Sequence, residues 1–551
     1  MTGEAATLGL RAVNDENSVL THDPESSFFI SRHPRHTLFS IAYLRQSIGS
    51  NDTGGPSLIN TSAPPGLRDV NDNLTSLIYT PIERSGDLIG RIHVRSVMPA
   101  LNTMDIVNEG SPGVAGVPFS EPSPLGAGYQ MISGDAVTAG PIESTVYPDL
   151  AQGGYCYSDE VGTWMIEEAS VNIGSHTIDR TSSEQRYAQW HVDHSDERLM
   201  EHALGIGSRT DRIRRAYDEQ VIYSPLEFFF SQNPCHYFPL ISMSQGDLTI
   251  GLRGRSWYSL YGGVRTGSGL LTPDLDQYSA ARDEKIRAAM EAAHQDLVVE
   301  CVFLDASERS MFASSALEYV ITLSQMETRM NVAANVENYG MSRVNIQHPT
   351  RDLTVLVRPV SRTRADALLD DKQPDSVYPV RTAPPSGPIP NPYHTPIKWN
   401  DFSGGMNPAT GERTESLRNL KLEINGFNRL LSSDAPMGPL YREVDPVARK
   451  TPGRTHDTFG YHYSFGLSTQ GASTSGSINF SAISRIDLTL NRAQDPLSTL
   501  APSGVGAYDA ALVAAGLYPP PQYQAVDVFL MTRCVNVLRL SGGHAGVAFA
   551  V

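Results

Sequence analysis

The chain has 551 residues, 40% of them apolar and 19% charged, which is the composition of a globular protein with a sizeable core. Its net charge is −17, and the segment ahead of Phe28 carries five acidic side chains against the single Arg11, a balance that disfavours direct packing of DNA or RNA. No basic and then apolar leader opens the chain, and no run of about 18 apolar residues occurs. We therefore expect a soluble chain that does not use the ordinary secretory route.

Alternating apolar residues predict three strands in the first half of the chain, because successive side chains of a strand point to opposite faces. The residues that share the apolar faces are Ile92, Val94 and Met98; Ala169, Val171 and Ile173; and Leu248, Ile250 and Leu252. Each strand would then place one face on a core and the other elsewhere, as in a β-sandwich.

Helical patterns are scarce. The best one runs from Tyr278 to Leu297, with Ile286, Met290 and Ala293 on one face, and a shorter one runs from Ser307 to Gln325. Asp305 or Ser307 is the expected N-cap of the shorter helix, which explains the acidic residues there better than a catalytic role does.

Alternating apolar residues predict strands in the second half of the chain as well. The alternating apolar residues are Leu353, Val355 and Val357, and further on Ile486, Leu488 and Leu490. The stretch Val526–Leu540 is expected to form a central strand, and Ser541, Gly542 and Gly543 to turn the backbone sharply after it.

Two segments are expected to be long surface loops. One, from Thr103 to Gly154, is rich in Gly, Pro and Ser, and the other, the Pro-rich stretch from Thr382 to Pro396, should be extended.

The strand pattern also suggests an internal duplication. Asp87-Leu88 precedes one predicted strand in the first half, and Asp352-Leu353 precedes another in the second half. In the same order, Gly174 and Gly426 interrupt two further strands, and the separation of the two glycines is similar to that of the two Asp-Leu pairs. Two similar offsets in the same order predict two β-sandwiches in tandem.

The cysteines and histidines are only weak evidence for a functional site. The four cysteines, Cys156, Cys235, Cys301 and Cys534, are widely spaced and are interpreted as small buried hydrophobes in a reducing compartment. Four metal-capable residues lie close together in sequence: His191, Asp193, His194 and His202. Since no second pair accompanies them, we favour a solvated segment over a metal site.

Eight segments, in order along the chain, resemble the double jelly-roll major capsid proteins of nucleocytoplasmic large DNA viruses, over about Phe28 to Val551. They are HPRHTLFSIAYLRQSI, GDLIGRIHVRSVMPAL, EEASVNIGSHTIDR, SPLEFFFSQNPCHYFPLISMSQGDLTI, VFLDASERSMFASSALEYVI, VNIQHPTRDLTVLV, SGSINFSAISRIDLTL and NVLRLSGGHAGVAFAV. The long loops and the final Val551 depart from the compact members, and the departure of the loops concerns the outer surface and not the fold.

The resemblance implies an all-β fold of two tandem eight-stranded jelly rolls with long surface loops and a few short helices. The implied division is an N-terminal arm over residues 1–27, a first jelly roll over 28–265, a linker or helical insertion over 266–300, and a second jelly roll over 301–551 with a Pro-rich loop at about 365–400. Three copies would form a nearly hexagonal capsomer, and capsomers would tile an icosahedral shell.

The implied partners are other copies of the chain, neighbouring capsomers, and minor capsid and penton proteins, with an internal viral membrane reached only indirectly and no direct contact with nucleic acid. The implied location is the virion capsid, assembled in the host cytoplasm, with no cofactor, no metal and no enzymatic activity. A minor capsid paralogue or an assembly scaffold stays an alternative, and a cupin-like or lectin-like protein is a remote one, because no clustered His and Glu set is seen.

The resemblance also gives roles to single residues. Asn479, Phe480 and Ser481 belong to one signature, in which Asn479 and Ser481 would satisfy backbone groups beside the terminal strand. The signature of the last strand contains Asn536, Leu538, Arg539, Gly542 and Gly543. The apolar end after it would either seal its own domain near the junction of the two jelly rolls or contact another subunit.

Asn51, Asn60 and Asn73 begin N-glycosylation sequons, and so does Asn479 inside a predicted strand. A chain without a secretory leader does not normally meet the glycosylating enzymes, although some relatives are glycosylated at atypical sites.

Overall fold

The computed structural model describes most of the strands and leaves the longest connections out. The described residues are 23, 35–48, 58–59, 77–101, 154–193, 202–207, 209–264, 280–360, 399–406, 413–428, 440–444, 459–467, 475–494 and 522–549. The predicted loops at 103–153 and 382–396 and the sequons at Asn51, Asn60 and Asn73 lie outside these residues.

The first sandwich contains eight main strands. They are β1 Phe39–Ser47, β2 Ile78–Pro81, β3 Leu88–Met98, β4 Ile166–Ile173, β5 His176–Ser182, β6 Gln220–Leu226, β7 Leu248–Gly254 and β8 His294–Leu304. They form two antiparallel sheets: sheet 1A in the order β1-β8-β3-β6, and sheet 1B in the order β2-β7-β4-β5.

The second sandwich repeats this arrangement. Its strands are β9 Leu317–Val332, β10 Asn338–Ser342, β11 Pro349–Pro359, β12 Leu417–Ile424, β13 Phe427–Asn428, β14 Tyr461–Ser464, β15 Ile486–Arg492 and β16 Val526–Ser541. Sheet 2A has the order β9-β16-β11-β14, and sheet 2B has the order β10-β15-β12-β13. Each strand of the first sandwich therefore has its counterpart eight strands later, which confirms the predicted duplication and gives two jelly rolls.

Shorter elements complete the described part. Short strands lie at Gly154–Tyr157, Phe238–Pro239, Tyr261–Val264, Gly405–Met406, Arg413–Thr414, Ile478–Asn479 and His544–Val547. The α-helices are α1 Val161–Trp164, α2 Ser183–Asp193, α3 Arg209–Arg215, α4 Ala280–Glu291 and α5 Ala306–Ser314. Single 3-10 or π turns occur at Pro234–His236, Leu240–Ser242, Trp257–Ser259, Leu440–Val444 and Phe480–Ala482.

The apolar faces read from the sequence are the core faces of these strands. Every residue used to predict a strand is buried, from Ile92 in β3 to Leu490 in β15. Alternation therefore located the strands because each sheet has one face on a core and the other directed away from it.

The predicted helices are shorter than expected. The pattern that began at Tyr278 yields α4, which ends at Glu291, and its last residues belong to β8. The pattern that began at Ser307 ends at Ser314, after which β9 begins at Leu317. Both helices stop where the chain joins a sheet, since pairing with neighbouring strands overrides local helical propensity.

The first sandwich extends to Leu304. Strand β8, which the sequence-based division assigned to the linker and the second jelly roll, pairs with β1 on one side and β3 on the other. It lies in the centre of sheet 1A, and the connection to the second sandwich is therefore the short stretch that contains α5.

The hairpins between β4 and β5 and between β12 and β13 are also equivalent. Gly174 has a φ of +59°, while Asn425 and Gly426 have φ angles of +49° and +84°. Positive φ at these positions suits tight two-residue hairpins, which is why the glycines interrupt both strand patterns.

Among the described residues, no helix is long and apolar enough to cross a membrane.

Candidate interaction surfaces

The two sandwiches meet through an aromatic cluster, here called the junction. Trp164 of α1 and Tyr187 of α2 pack against Leu356 and Phe529, which lie on the outer face of sheet 2A. Trp399 joins this cluster, and its indole N–H donates to the backbone oxygen of Ser259 in the first sandwich at 3.1 Å. Because buried aromatic side chains carry much apolar area, the junction forms an apolar cluster of its own between the two sandwich cores.

A buried ion network runs through the junction. The Glu184 carboxylate of α2 accepts from Arg255 at 3.1 Å and from Arg358 of β11 at 3.2 Å, so it joins the two sandwiches. The Arg255 guanidinium stacks 3.9 Å from the Trp399 ring centroid. Burial alone would raise the pKa of Glu184, but Arg255 and Arg358 outweigh burial and lower the pKa to about 2.

A second contact comes from the ribbon of β9 and β16, which are each 16 residues long. One half of this ribbon packs within the second sandwich, through residues such as Val528 and Leu530. The other half carries Ile321, Leu323, Leu538 and Leu540 into the core of the first sandwich. The ribbon therefore closes one end of the first sandwich, and the two cores share one chain segment.

The last described residues of the chain lie at the same end of the first sandwich. Gly542 and Gly543 have φ angles of +61° and +81° and turn the chain into the strand His544–Val547, which pairs with β16. The backbone N–H of Gln245 in the first sandwich donates to the oxygen of Gly543 at 3.0 Å. Ala545 and Val547 pack against the core of the first sandwich, so this strand lies where the two jelly rolls meet.

The remaining residues of the last signature, Asn536, Leu538 and Arg539, lie in β16 shortly before this turn. The Asn536 amide donates to the backbone oxygen of Phe549 at 2.9 Å, and Leu538 is buried in the first core. Arg539 is exposed and its guanidinium donates to Glu318 at 2.8 Å.

The Asn479–Ser481 signature lies beside β11. The Asn479 side chain accepts from the backbone N–H of Ser481 at 3.1 Å, and the Ser481 hydroxyl accepts from the N–H of His348 at 2.8 Å. Phe480 is buried in the second core. These residues bind backbone groups ahead of β11, which is the neighbour of the last strand β16 in sheet 2A.

The outer face of sheet 1A is different from the junction because it exposes apolar side chains. Phe39, Ile41 and Tyr43 of β1 are 51%, 50% and 60% exposed, whereas Leu44 of the same strand packs against the core. In the part of the chain that the structure describes, β1 pairs only with β8, and it forms an edge of the sheet. An apolar row on an edge strand favours association with another surface.

The same face ends in a cluster of charges. Asp296 of β8 is buried and binds Arg45 at 2.7 Å, Arg95 at 3.0 Å and His294 at 2.9 Å. The face thus has an apolar end and a paired ionic end.

The structure corrects two interpretations made from the sequence, those of His191 and Cys235. His191 is buried in α2, with its Nε2 atom 3.4 Å from Glu160, so it is not part of a solvated segment. Its aromatic neighbour Tyr187 explains this, because α2 lies against the junction. His194 lies outside the described residues, and no group of potential metal ligands occurs within them. Cys235 is exposed, while the other three cysteines are buried as expected.

Sequence reasoning missed the ion network and the exposed face. Glu184 and Arg358 are 174 positions apart, and nothing local links them. The segment that starts at Phe39 does show apolar residues at alternate positions, but alternation cannot tell which face of an edge strand is left uncovered.

The second half of the chain matches a known family. Residues 308–546 match the family model of the large eukaryotic DNA virus major capsid proteins. The chain is 22% identical to the major capsid protein of Paramecium bursaria Chlorella virus 1 and 21% identical to that of Phaeocystis pouchetii virus, with 98% of each chain covered in both cases.

Solved structures with the same fold cover nearly the whole chain. The crystal structure of PBCV-1 VP54, from Paramecium bursaria Chlorella virus 1, has a TM-score of 0.60 at 18% identity, covering 95% of this chain and 100% of that one. The Faustovirus major capsid protein has a TM-score of 0.54 at 10% identity, covering 98% and 96%. The similarity therefore includes both sandwiches.

Proposed function

We propose that the chain is a major capsid protein of the double jelly-roll kind found in nucleocytoplasmic large DNA viruses, that three copies of it close into a ring of six sandwiches, and that these rings tile the viral shell. The observation that carries this proposal is the strand-by-strand equivalence of the two sandwiches. Three copies of two equivalent units give a nearly six-sided outline, which packs edge to edge.

The rigid union of the two sandwiches supports the proposal. A tile needs a fixed angle between its units, and the junction and the β9–β16 ribbon hold the two sandwiches by separate contacts. The exposed apolar row on β1 provides surface for contact between copies.

The experiment is a mass measurement in solution. The purified chain should scatter light as a particle with three times the chain mass of 60.0 kDa, and negative-stain images should show near-hexagonal particles. A strictly monomeric protein at high concentration would contradict the proposal.

We further propose a structural role without catalysis, in the virion capsid after assembly in the host cytoplasm. The partners would be neighbouring capsomers, minor capsid proteins and penton proteins, with the internal membrane contacted through those. The net charge of −17 supports a shell that does not bind the genome directly. Copy number in purified virions distinguishes a major capsid protein from a minor paralogue, and presence in the mature particle distinguishes both from a scaffold.

A further inference from the structure

The contact between α2 and sheet 2A contains a polar cavity beside the aromatic junction. Gln185, Ala188 and Gln189 of α2 lie three and four positions apart, so they share the face of the helix that meets the sheet. Ala188 has only a methyl group and does not fill the space between the two glutamines. The cavity therefore opens inside the contact of the two sandwiches, under this face of α2.

On the side of sheet 2A, polar side chains line the cavity. The Thr354 hydroxyl of β11 lies 2.9 Å from Nδ1 of His462 in β14, and Arg533 of β16 donates to the Asp352 carboxylate at 2.8 Å. All four side chains are more than nine-tenths buried. Burial alone would raise the pKa of Asp352, but Arg533 outweighs burial and lowers the pKa. The carboxylate thus stays charged, and it neutralises the guanidinium beside it.

Gln189 brings an unsatisfied acceptor to this cavity. It is 6% exposed, and its Oε1 atom has no hydrogen-bond partner among the described residues. Gln185 differs, because its Oε1 atom accepts from the backbone N–H of Ser182 at 2.8 Å. A buried amide oxygen without a hydrogen bond destabilises the fold, so Gln189 calls for a small donor in the cavity.

We propose that the cavity binds one ordered water molecule, which donates a hydrogen bond to Oε1 of Gln189 and links α2 to the polar residues of sheet 2A. The space open to the centre of such a molecule is about 20 Å³, and about 10–15 Å³ is enough for one water. The site is too small for a polyatomic ligand. One water therefore joins the first sandwich to the second where the aromatic cluster ends.

Water suits the site better than an ion does. A cation would need a free carboxylate, but both oxygens of Asp352 already accept from Nε of Arg533, at 3.0 and 2.8 Å. A halide only accepts hydrogen bonds, so it would require the Gln189 amide to turn its NH₂ group into the cavity. Water both donates and accepts, and it satisfies Gln189 in either orientation of the amide.

The first test is a density map of the wild-type protein at a resolution that shows ordered water. We expect a peak within hydrogen-bond distance of the Gln189 amide, and no anomalous signal at that place in a crystal soaked in bromide. A bromide signal would assign the site to a halide, and a map without a peak would show a dry cavity. Either result overturns the inference.

The second test compares two variants on the same face of α2. Gln189→Met keeps the length of the side chain and removes the amide, so we expect the density peak to be lost. Gln185→Met is the matched control and should keep the peak, because the oxygen it removes already has a partner in Ser182. A peak that survives Gln189→Met, or one that is lost in both variants, would contradict the role given to Gln189. The wild-type maps decide the question even where a variant fails to fold.

The outcomes separate this inference from the proposed function, because the cavity lies within one chain. A trimer with a dry cavity removes the water site and leaves the proposed function intact. A monomeric protein with the density peak keeps the water site and removes the trimer.

Discussion

At the scale of single residues, two buried carboxylates near the contact of the sandwiches respond to pH in opposite directions. Glu184 is held charged by two arginines. Asp179 of β5 is buried, with one oxygen accepting from the backbone N–H of Phe229 at 3.2 Å and the other without a hydrogen-bond partner among the described residues. Burial raises the pKa of Asp179 to about 7.

Replacing Glu184 by Gln should destabilise the protein strongly. The change leaves Arg255 and Arg358 buried without their anion, which costs about 3–5 kcal/mol of unfolding free energy. In the wild type the charge of Glu184 stabilises the fold above pH 4.5, and this contribution is lost as the pH falls towards 2. Urea unfolding at pH 7 and pH 3 measures both effects.

The matched control is Glu318→Gln, which removes an exposed carboxylate that binds Arg539. An exposed ion pair contributes only about 0–1 kcal/mol. Equal losses in the two variants would contradict the role given to Glu184.

We expect ionisation of Asp179 to lower the stability of the folded protein as the pH rises. A folded-state pKa of about 7, above the ordinary 3.8, means that stability is greatest in mild acid, falls between about pH 4 and pH 7, and is constant above that range. We expect the Asp179→Asn protein to lose this slope and to melt at a higher temperature than the wild type at pH 8. Thermal melts from pH 5 to pH 8 test this.

Asp247→Asn is the control for Asp179, because that side chain is largely exposed. Its melts should follow those of the wild type. A wild type with no change in melting temperature over this pH range would refute the prediction.

At the scale of secondary-structure elements, the closing ribbon and its turn depend on one glycine. Gly543 has a φ of +81°, and a Cβ atom there would collide with the Ser244 hydroxyl oxygen. Both the backbone conformation and the close approach to the first sandwich therefore require glycine.

Gly543→Ala should lower the unfolding free energy by about 1–3 kcal/mol, since the turn becomes strained and Ser244 must move. The control is Gly546→Ala in the adjacent strand, where a Cβ would meet no atom within 4 Å. Urea midpoints of the two variants compare them directly, and a Gly543→Ala midpoint no lower than that of the control would show that the turn is not constrained.

The positions of these strands could be predicted from the sequence, whereas the partners with which strands pair could not. Period-two patterns located β3, β4, β7, β11 and β15 because one face of each lies on a core. The stretch that forms β8 followed a helical pattern and lay between the two repeats, so no local signal assigned it to the first sheet. Its place is fixed by pairing with β1, the first strand of the same sandwich, and this distant pairing is seen only in the fold.

At the scale of the whole molecule, the two jelly rolls form one cooperative unit. The core of the first sandwich contains Ile321 and Leu540 from the second, and the junction adds aromatic contacts and the Glu184 network. The tandem fold was predictable from the repeated motifs, but this shared core was not, because it depends on strands long enough to reach beyond their own sandwich.

Calorimetry should therefore record a single unfolding transition for both halves. Neither sandwich can unfold without exposing the other's apolar residues, so the free energies are coupled. Scans at two protein concentrations distinguish dissociation of copies from unfolding of the chain. Two separate unfolding transitions at both concentrations would contradict the shared core.

The ribbon also sets the order of events during synthesis. A ribosome has made all eight strands of the first sandwich by Leu304, but Leu538 and Leu540, which complete its core, come more than two hundred codons later. At roughly 5–20 residues per second, the nascent first half waits on the order of ten seconds or more with that end open. Chaperones acting on the growing polypeptide would meet this uncovered end, and messages cut short before codon 538 would yield products that retain it.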